Sequence, residues 1–468
     1  MGRKELLQEL TADYESRCGR SKDLFGEYSG TLVGGGSHNL RLFSPFPFYE
    51  SMCSGAKVTD IDGNSYIDFW QGHFTNILGH NPDPVLRPLS NFMKAGSCLI
   101  TGFPGVCQGK LAGLILKQTG AERIRFTTSG TLATMYAMML ARAFTGRQTV
   151  MKVGSGWHGA QPFALKGISV YDRGFSYIES EGLSPDLDRM IQVTRFNDIE
   201  DLESTFSRHG NRTACFIIEP FLGSGGFIFA YPRYLSRARE LCSEYGVLLI
   251  ADEVISGFRF HPGGLMNLYG ITPDLSTFGK IIGGGMPVSA VCGRRDVMEI
   301  CGPKNMMENR VKFNGGTFSG HPSSMVAGCA CLEHLIEHKE EIYPRIGELG
   351  NKARSGIEQI FRTHGFNVRC TGHPYPSLKK SSIVGVHFLK DGVDGIDSPD
   401  QVLNPEVCDI ELREVLFKLA MLQEGFNVVH GYGSISTAHT DEDIQRSLDA
   451  VERIARHWKK HNIVSQST

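Results

Sequence analysis

Val247-Leu248-Leu249-Ile250-Ala251-Asp252 and Leu275-Ser276-Thr277-Phe278-Gly279-Lys280 are two short runs, each apolar at the start and charged at the end. Runs of this length and character read as strands buried on both faces, not as one-sided strands that alternate polar and apolar residues. The pattern repeats upstream. Ile124–Thr127 and Val150–Val153 read as strands, and Cys215–Ile218 is a further apolar run that ends at Glu219-Pro220. Between them lie helical spacings: Leu132, Met135, Tyr136, Met139, Leu140 and Ala143, then Tyr234, Leu235, Ala238, Leu241, Cys242 and Tyr245, with Gly246 as the stop. Strand, helix, strand at this spacing predicts right-handed crossovers and a mostly parallel central sheet flanked by helices, an α/β fold. In such sheets chemistry sits beyond the carboxyl ends of the strands, where Glu219, Asp252 and Lys280 fall.

Outside this region the pattern changes. Residues 1–30 read as a polar amphipathic helix and 31–56 as loop, followed by a hairpin in which Asp62-Gly63-Asn64 joins Lys57–Ile61 to Ser65–Phe69. Beyond residue 330 a helical stretch near 324–365 leads to a strand at Ser382–Phe388, a polar loop at 391–405, a helix near 411–424 and a last helix near 441–460. The expected division is 1–85 as an N-terminal segment, 86–330 as the large domain and 331–468 as an α+β domain.

The formal net charge of −2 supplies no positive field for nucleic acid or anionic lipid, so neither is expected as a partner. The 12 cysteines show no paired metal-ligand spacing, and Cys329-Ala330-Cys331 reads as core, so no metal is expected. No apolar run has the length of a membrane span and no secretory signal is evident, which makes a reducing cytoplasm the expected location.

Two side chains carry the chemical argument. A carboxylate such as Asp252 at the end of a buried strand is costly unless a cation meets it. The cation could be a protonated ring nitrogen of a cofactor, with Lys280 forming an imine to its aldehyde; it could equally be Lys280 itself in a structural ion pair. Thr128-Ser129-Gly130-Thr131, between a strand and a helix, suits a phosphate and also an ordinary helix cap. Gly315-Gly316-Thr317-Phe318-Ser319-Gly320 is a second small, hydroxyl-rich turn, or simply a loop. Trp157 could stack on a planar ring or fill a core, and His158 beside it reads by itself as structural.

Taken in order, the motifs resemble the class III aminotransferase family of pyridoxal-phosphate enzymes. They are Asp62-Gly63-Asn64 with Asp68, Ser129-Gly130-Thr131, Trp157-His158-Gly159, Ile218-Glu219-Pro220, Asp252-Glu253-Val254 with Gly257-Phe258-Arg259, Thr272-Pro273-Asp274, Gly279-Lys280 with Gly283-Gly284-Gly285, and Gly316-Thr317-Phe318-Ser319-Gly320. Phe144-Thr145-Gly146-Arg147 and the Gly-rich lead into Arg41 are similar to the branch that holds glutamate-1-semialdehyde aminomutase, β-phenylalanine aminotransferase and D-phenylglycine aminotransferase. The resemblance implies pyridoxal 5′-phosphate as cofactor and a fold type I homodimer with shared active sites. It also implies a smaller α+β domain built from the N- and C-terminal segments. Lys280 would hold the cofactor as a Schiff base and Asp252 would pair with the ring nitrogen. Val254 and Trp157 would flank the ring, with His158 beside it, and Glu219 would orient polar groups near it. Ser129, Gly130 and Thr131 would hold the phosphate with Thr317 from the partner subunit. Arg41 would bind a substrate carboxylate, and His73 would stand by the substrate.

The chain departs from the family pattern at Leu132, at Trp157, at Gly223-Ser224-Gly225-Gly226 after Glu-Pro, at His73, and at Val429-His430-Gly431-Tyr432, where an arginine is common. The expected function is an aminotransferase acting between a small amino donor and a keto acid or aldehyde acceptor. An aminomutase is the alternative, followed by a racemase or decarboxylase on the same scaffold.

Overall fold

Two helices open the chain in the computed structural model, which describes residues 2–96, 99–169, 174–303, 311–374, 378 and 380–463. Helices α1 (Arg3–Arg17) and α2 (Gly19–Tyr28) replace the single helix expected there, and they part at Cys18, whose φ of −116° and ψ of 41° leave helical space. The Asp62 carboxylate accepts the N–H groups of Arg20 and Ser21 at 2.7 and 3.0 Å, which gives α2 its own cap. Three strands follow: β1 (Glu50–Ser54), β2 (Lys57–Asp60) and β3 (Ser65–Asp68). The expected hairpin is β2 against β3, with Thr59 opposite Ser65. β1 adds a strand within a stretch expected to be loop.

Helices α3 (Asp83–Lys94) and α4 (Val106–Thr119) lead into the large sheet. Its elements run β4 (Arg123–Thr127), α5 (Gly130–Thr145), β5 (Thr149–Val153), β6 (Ile191–Thr194), α6 (Ile199–His209), β7 (Thr213–Ile218), α7 (Pro232–Tyr245), β8 (Leu248–Glu253), β9 (Leu275–Phe278) and β10 (Ser289–Gly293). In space the order is β4-β10-β9-β8-β7-β5-β6. From β9 to β6 every pairing is parallel, and β10 runs antiparallel to both neighbours. Strands β7, β8 and β9 are buried throughout because both faces are covered. Phe216, Ile218, Leu249 and Ala251 pack on one side against Tyr234, Leu235, Ala238 and Leu241 of α7. Cys215, Ile217, Leu248 and Ile250 pack on the other against Ala133, Ala137, Met138 and Leu140 of α5. The two-residue alternation of a strand therefore sends apolar side chains both ways, which is why the sequence shows unbroken apolar runs.

Helix α8 (Pro322–Glu337) and helix α9 (Lys339–Thr363) divide the single helical stretch expected there at His338, where φ is −105° and ψ 22°. Strands β11 (Val368–Thr371) and β12 (Ile383–Phe388) pair antiparallel. A π-helical turn over Leu412–Phe417 runs into α10 (Lys418–Gln423). Then come β13 (Phe426–Asn427), β14 (Gly433–Ser434) and α11 (Asp441–Lys460). β13 pairs in parallel with β3, so the two ends of the chain share one four-stranded sheet. Among the described residues no helix is long and apolar enough to cross a membrane.

Candidate active site

The carboxyl ends of β7, β8 and β9 bring Glu219, Asp252 and Lys280 to one cleft. Asp252 is buried at the end of β8. Its Oδ1 accepts the Thr277 hydroxyl at 2.9 Å and the Val254 N–H at 3.2 Å, and its Oδ2 lies 2.7 Å from His158 Nδ1. The partner of Asp252 is thus an imidazole, not the Lys280 amine. Burial lowers the pKa of His158 while Asp252 pulls it up, and His158 Nε2 is buried without a partner among the described residues.

Lys280 follows Gly279, whose extended backbone passes so close to β10 that a Cβ there would lie 2.6 Å from Ser289 Oγ. Lys280 itself has φ of +48°, a left-handed conformation that costs a side-chain-bearing residue about 1–2 kcal/mol. Its amine has no hydrogen bond or ion pair among the described residues. Burial lowers its pKa; Asp252 and Glu219 oppose that shift, and the Arg259 charge reinforces it. Glu219 is buried and accepts the N–H groups of Trp157 at 2.8 Å and Gly223 at 3.2 Å. Burial first, then the Asp252 charge, push its pKa well above the usual carboxylate range.

The Ser129-Gly130-Thr131 turn opens α5, a helix of 16 residues, and Ser129 Oγ caps it by accepting Leu132 N–H at 3.3 Å. The Trp157-His158-Gly159 segment rests on this turn. The Thr134 hydroxyl donates to the His158 carbonyl at 2.6 Å, and a Cβ on Gly159 would come within 2.6 Å of Thr131 Cα. Val254 closes the other side: a Cβ on Gly130 would meet Val254 Cγ1 at 3.0 Å. Arg41 and His73 lie at the mouth, with Arg41 Nε donating to His73 Nε2 at 3.2 Å. His73 is flanked by the rings of His38 and Trp70 at 4.6 and 4.5 Å, and the charge on Lys280 bears on both histidines. His73 belongs to a left-handed turn in which Gln71, Gly72, His73 and Phe74 have φ of 50°, 60°, 57° and 66°. Asp68 holds this turn by accepting Trp70 N–H at 2.9 Å and Gln71 N–H at 3.0 Å. The buried Arg259 guanidinium donates to the Phe74 carbonyl from the far side. Gly316 lies near Thr128, while the neighbouring Thr317 is exposed and makes no side-chain hydrogen bond among the described residues.

Residues 44–373 match the aminotransferase class-III family. The chain belongs to that family. A glutamate-1-semialdehyde 2,1-aminomutase of Methanobrevibacter smithii is 34% identical over 440 residues, which cover 92% of this chain and 97% of that protein. Among solved structures, an omega-transaminase from Sphaerobacter thermophilus superposes with a TM-score of 0.83 at 29% identity, over 93% of this chain and 98% of that one. The β-phenylalanine aminotransferase of Variovorax paradoxus superposes with a TM-score of 0.84 at 27% identity, over 98% of each chain. This class-III chain is an enzyme whose cofactor is pyridoxal 5′-phosphate. The cleft fits that group. An uncommitted amine, a carboxylate at the end of a buried strand, and a helix N-terminus in which a Cβ at Gly130 would press on Val254 all face it.

Several of these residues carried no expected role. Thr277 lies opposite Asp252 in the parallel register and ties it down, and a hydroxyl two residues before Gly279 is the signal for it. Thr134 holds His158 through its carbonyl, which nothing in the sequence announces. Arg259 of Gly257-Phe258-Arg259 carried no expected role either, and it lies buried behind the left-handed turn.

Proposed function

We propose that this class-III enzyme is an aminotransferase that moves an amino group from an amino acid or related amine to a keto acid or aldehyde. The observation that carries the reading is the pairing of a fully engaged carboxylate, Asp252, with a free amine, Lys280, at adjacent strand ends. Pyridoxal phosphate, when bound, supplies an electrophilic aldehyde and an electron sink. Asp252 keeps a proton on the ring nitrogen, and His158 and Thr277 hold the carboxylate in place for it. Lys280 would hold the cofactor and, once the substrate amine has displaced it, its amine would take the proton from the substrate α-carbon and return it to the carbon on the other side of the amino nitrogen. A depressed pKa suits that work, since a base must be neutral when it acts. Trp157 and Val254 flank the ring, and Glu219 fixes the Trp157 backbone. Ser129, Gly130 and Thr131 bind the phosphate, Arg41 binds a substrate carboxylate, and His73 orients Arg41.

A homodimer with shared sites goes with this reading, the phosphate being reached also by the partner subunit's Thr317. Val106, Phe103 and Phe318 are 92%, 81% and 57% exposed, and Gly320 lies against Gln108, which brings the stretches that carry Val106 and Phe318 together. Exposed apolar side chains in such positions call for a cover, and a second copy is the simplest one. The division at residues 85 and 330 and a cytoplasmic location belong to the same proposal.

The second reading is an aminomutase, favoured by the 34% identity to an enzyme of that name. One experiment separates the two. Candidate amino compounds are added to the purified enzyme without any acceptor. An aminotransferase stops after one equivalent of keto product per site, whereas an aminomutase goes on converting substrate to an isomer. Borohydride reduction followed by peptide mapping tests Lys280 directly, and a label on any other lysine refutes the assignment.

A further inference from the structure

Lys152 stands next to last in β5, 0% exposed, between Val193 of β6 and Ile217 of β7. A lysine buried in a parallel sheet is expensive unless its polar head is fully engaged. Among the described residues no carboxylate pairs with it. Its Nζ donates instead to the carbonyls of Ala164 at 3.1 Å and Lys166 at 2.8 Å. A neutral amine has two N–H groups, and these two carbonyls use both; an ammonium would leave a third buried and unmatched. The charged and titratable groups that face it are Glu219 at the end of β7, Glu179 in the β5–β6 connection, and His158. Burial outweighs both glutamates and brings the amine down to about 7.

The two carbonyls belong to the long connection between β5 and β6, the segment that carries Trp157 and His158. Ser155 N–H donates to the Gly167 carbonyl at 2.8 Å, and Gly167 N–H to the Tyr177 carbonyl at 2.8 Å. Glu179 accepts the N–H groups of Ile168 and Ser169 at 2.7 and 2.6 Å. Lys166 secures the far end, donating to the carbonyls of Asp188 and Ile191 at 2.8 and 3.0 Å. Two lysines in series thus hang the connection from the sheet, the inner one directly behind the cleft.

We propose that Lys152 is a positioning residue that staples the segment around residues 154–169 to the sheet and so sets Trp157 and His158 against the cofactor. The proposal rests on the reading of those two residues as cofactor contacts. When the segment lifts away, Lys152 meets water and returns to an ordinary lysine value of 10.5, while the closed form holds it near 7. The open form then binds the extra proton between those values, so each pH unit upward favours the closed form about tenfold.

The test is hydrogen exchange, read by mass spectrometry on the full chain and corrected for intrinsic rates, with cofactor affinity measured alongside. In the wild type, protection of the Ser155 and Gly167 amides should rise by about tenfold per pH unit above pH 7. Lys152→Met should abolish that slope, lower protection at pH 8 and weaken pyridoxal phosphate binding by about tenfold. Lys152→Arg keeps donors but cannot shed its proton, so the slope should stay absent. Protection that is independent of pH in the wild type overturns the proposal without any variant having to fold. Lost protection in Lys152→Met with unchanged cofactor affinity also overturns it, on separate ground: the staple would exist, but Trp157 and His158 would not serve the cofactor.

Discussion

His158 Nδ1 and Asp252 Oδ2 are 2.7 Å apart, both buried, and the other carboxylate oxygen is tied to Thr277 and Val254. The carboxylate is therefore held in one orientation by Thr277 of β9, by the backbone just after β8 and by the connection that follows β5. Such fixing matters for the role proposed for Asp252, keeping a proton on a ring nitrogen, since a wandering carboxylate would stabilise the charge less well.

Asp252→Asn should accordingly separate binding from turnover. The amide keeps the shape and the contacts at Oδ1 but loses the charge. Activity should fall tenfold to a hundredfold, from the loss of about 1.5–3 kcal/mol of a charge-assisted interaction, while bound cofactor, read from visible absorbance, changes little. Near wild-type turnover in that variant would make the carboxylate purely structural.

Gly159 has φ of +84°, and its Cα faces the Thr131 backbone. Gly159→Ala therefore combines backbone strain of about 1–3 kcal/mol with a push on the Ser129-Gly130-Thr131 turn, the proposed phosphate site. The expected outcome is a lower denaturation midpoint and weaker pyridoxal phosphate binding. Titration of the cofactor-free protein measures the second effect. A variant that binds the cofactor as tightly as the wild type would show that the turn yields without consequence.

Lys280 offers a stability comparison as well as an activity test. Lys280→Ala should abolish turnover. Lys280→Gly should be equally inactive yet more stable than the alanine variant by about 1 kcal/mol, because glycine accepts a φ of +48° without strain. Equal denaturation midpoints for the two would argue that the backbone relaxes once the lysine is gone.

The middle of the sheet was legible because β7 and β8 are covered on both faces, which writes them as apolar runs ending in a carboxylate, whereas β6 and β10, short strands at or near the sheet's edge, gave no such run and were not expected. The left-handed turn at Gln71–Phe74 was not, since only one of its four residues is glycine and its conformation is imposed from outside by Asp68 and Arg259. Lys152 looked like one polar residue in a strand, and what makes it singular is a pair of carbonyls 12 and 14 residues downstream. The breaks at Cys18 and His338 were also hidden: the first depends on a carboxylate more than 40 residues away, the second on a local departure from helical backbone that no proline or glycine marks. Local signals gave the central buried strands and the helices between them; hydrogen bonds between distant segments decided how the site is braced.

The remaining prediction concerns Arg41 and its acceptor. Arg41 Nε donates to His73 Nε2, which requires His73 to keep a lone pair on that nitrogen and hence to stay neutral. Burial first, then the charges of His38, Arg41 and Lys280, lower the His73 value to about 4. The sign follows directly. His73 titrates near 6.5 when unfolded and near 4 when folded, so between those values the unfolded chain binds the extra proton and the folded state loses stability as pH falls. Down to about pH 5 the folded enzyme should keep His73 neutral and Arg41 oriented. KM for an amino acid substrate should therefore stay flat from pH 8 to pH 5, apart from titration of the substrate itself. Arg41→Ala should raise KM and leave bound cofactor unchanged, costing about tenfold to a hundredfold in kcat/KM for acids. His73→Phe removes the acceptor but keeps an aromatic ring between His38 and Trp70, and should give a smaller KM increase of the same kind. Good turnover of simple amines by the Arg41→Ala enzyme, alongside poor turnover of amino acids, would identify the lost contact as the substrate carboxylate. Equal losses on both would place Arg41 in the architecture of the mouth instead.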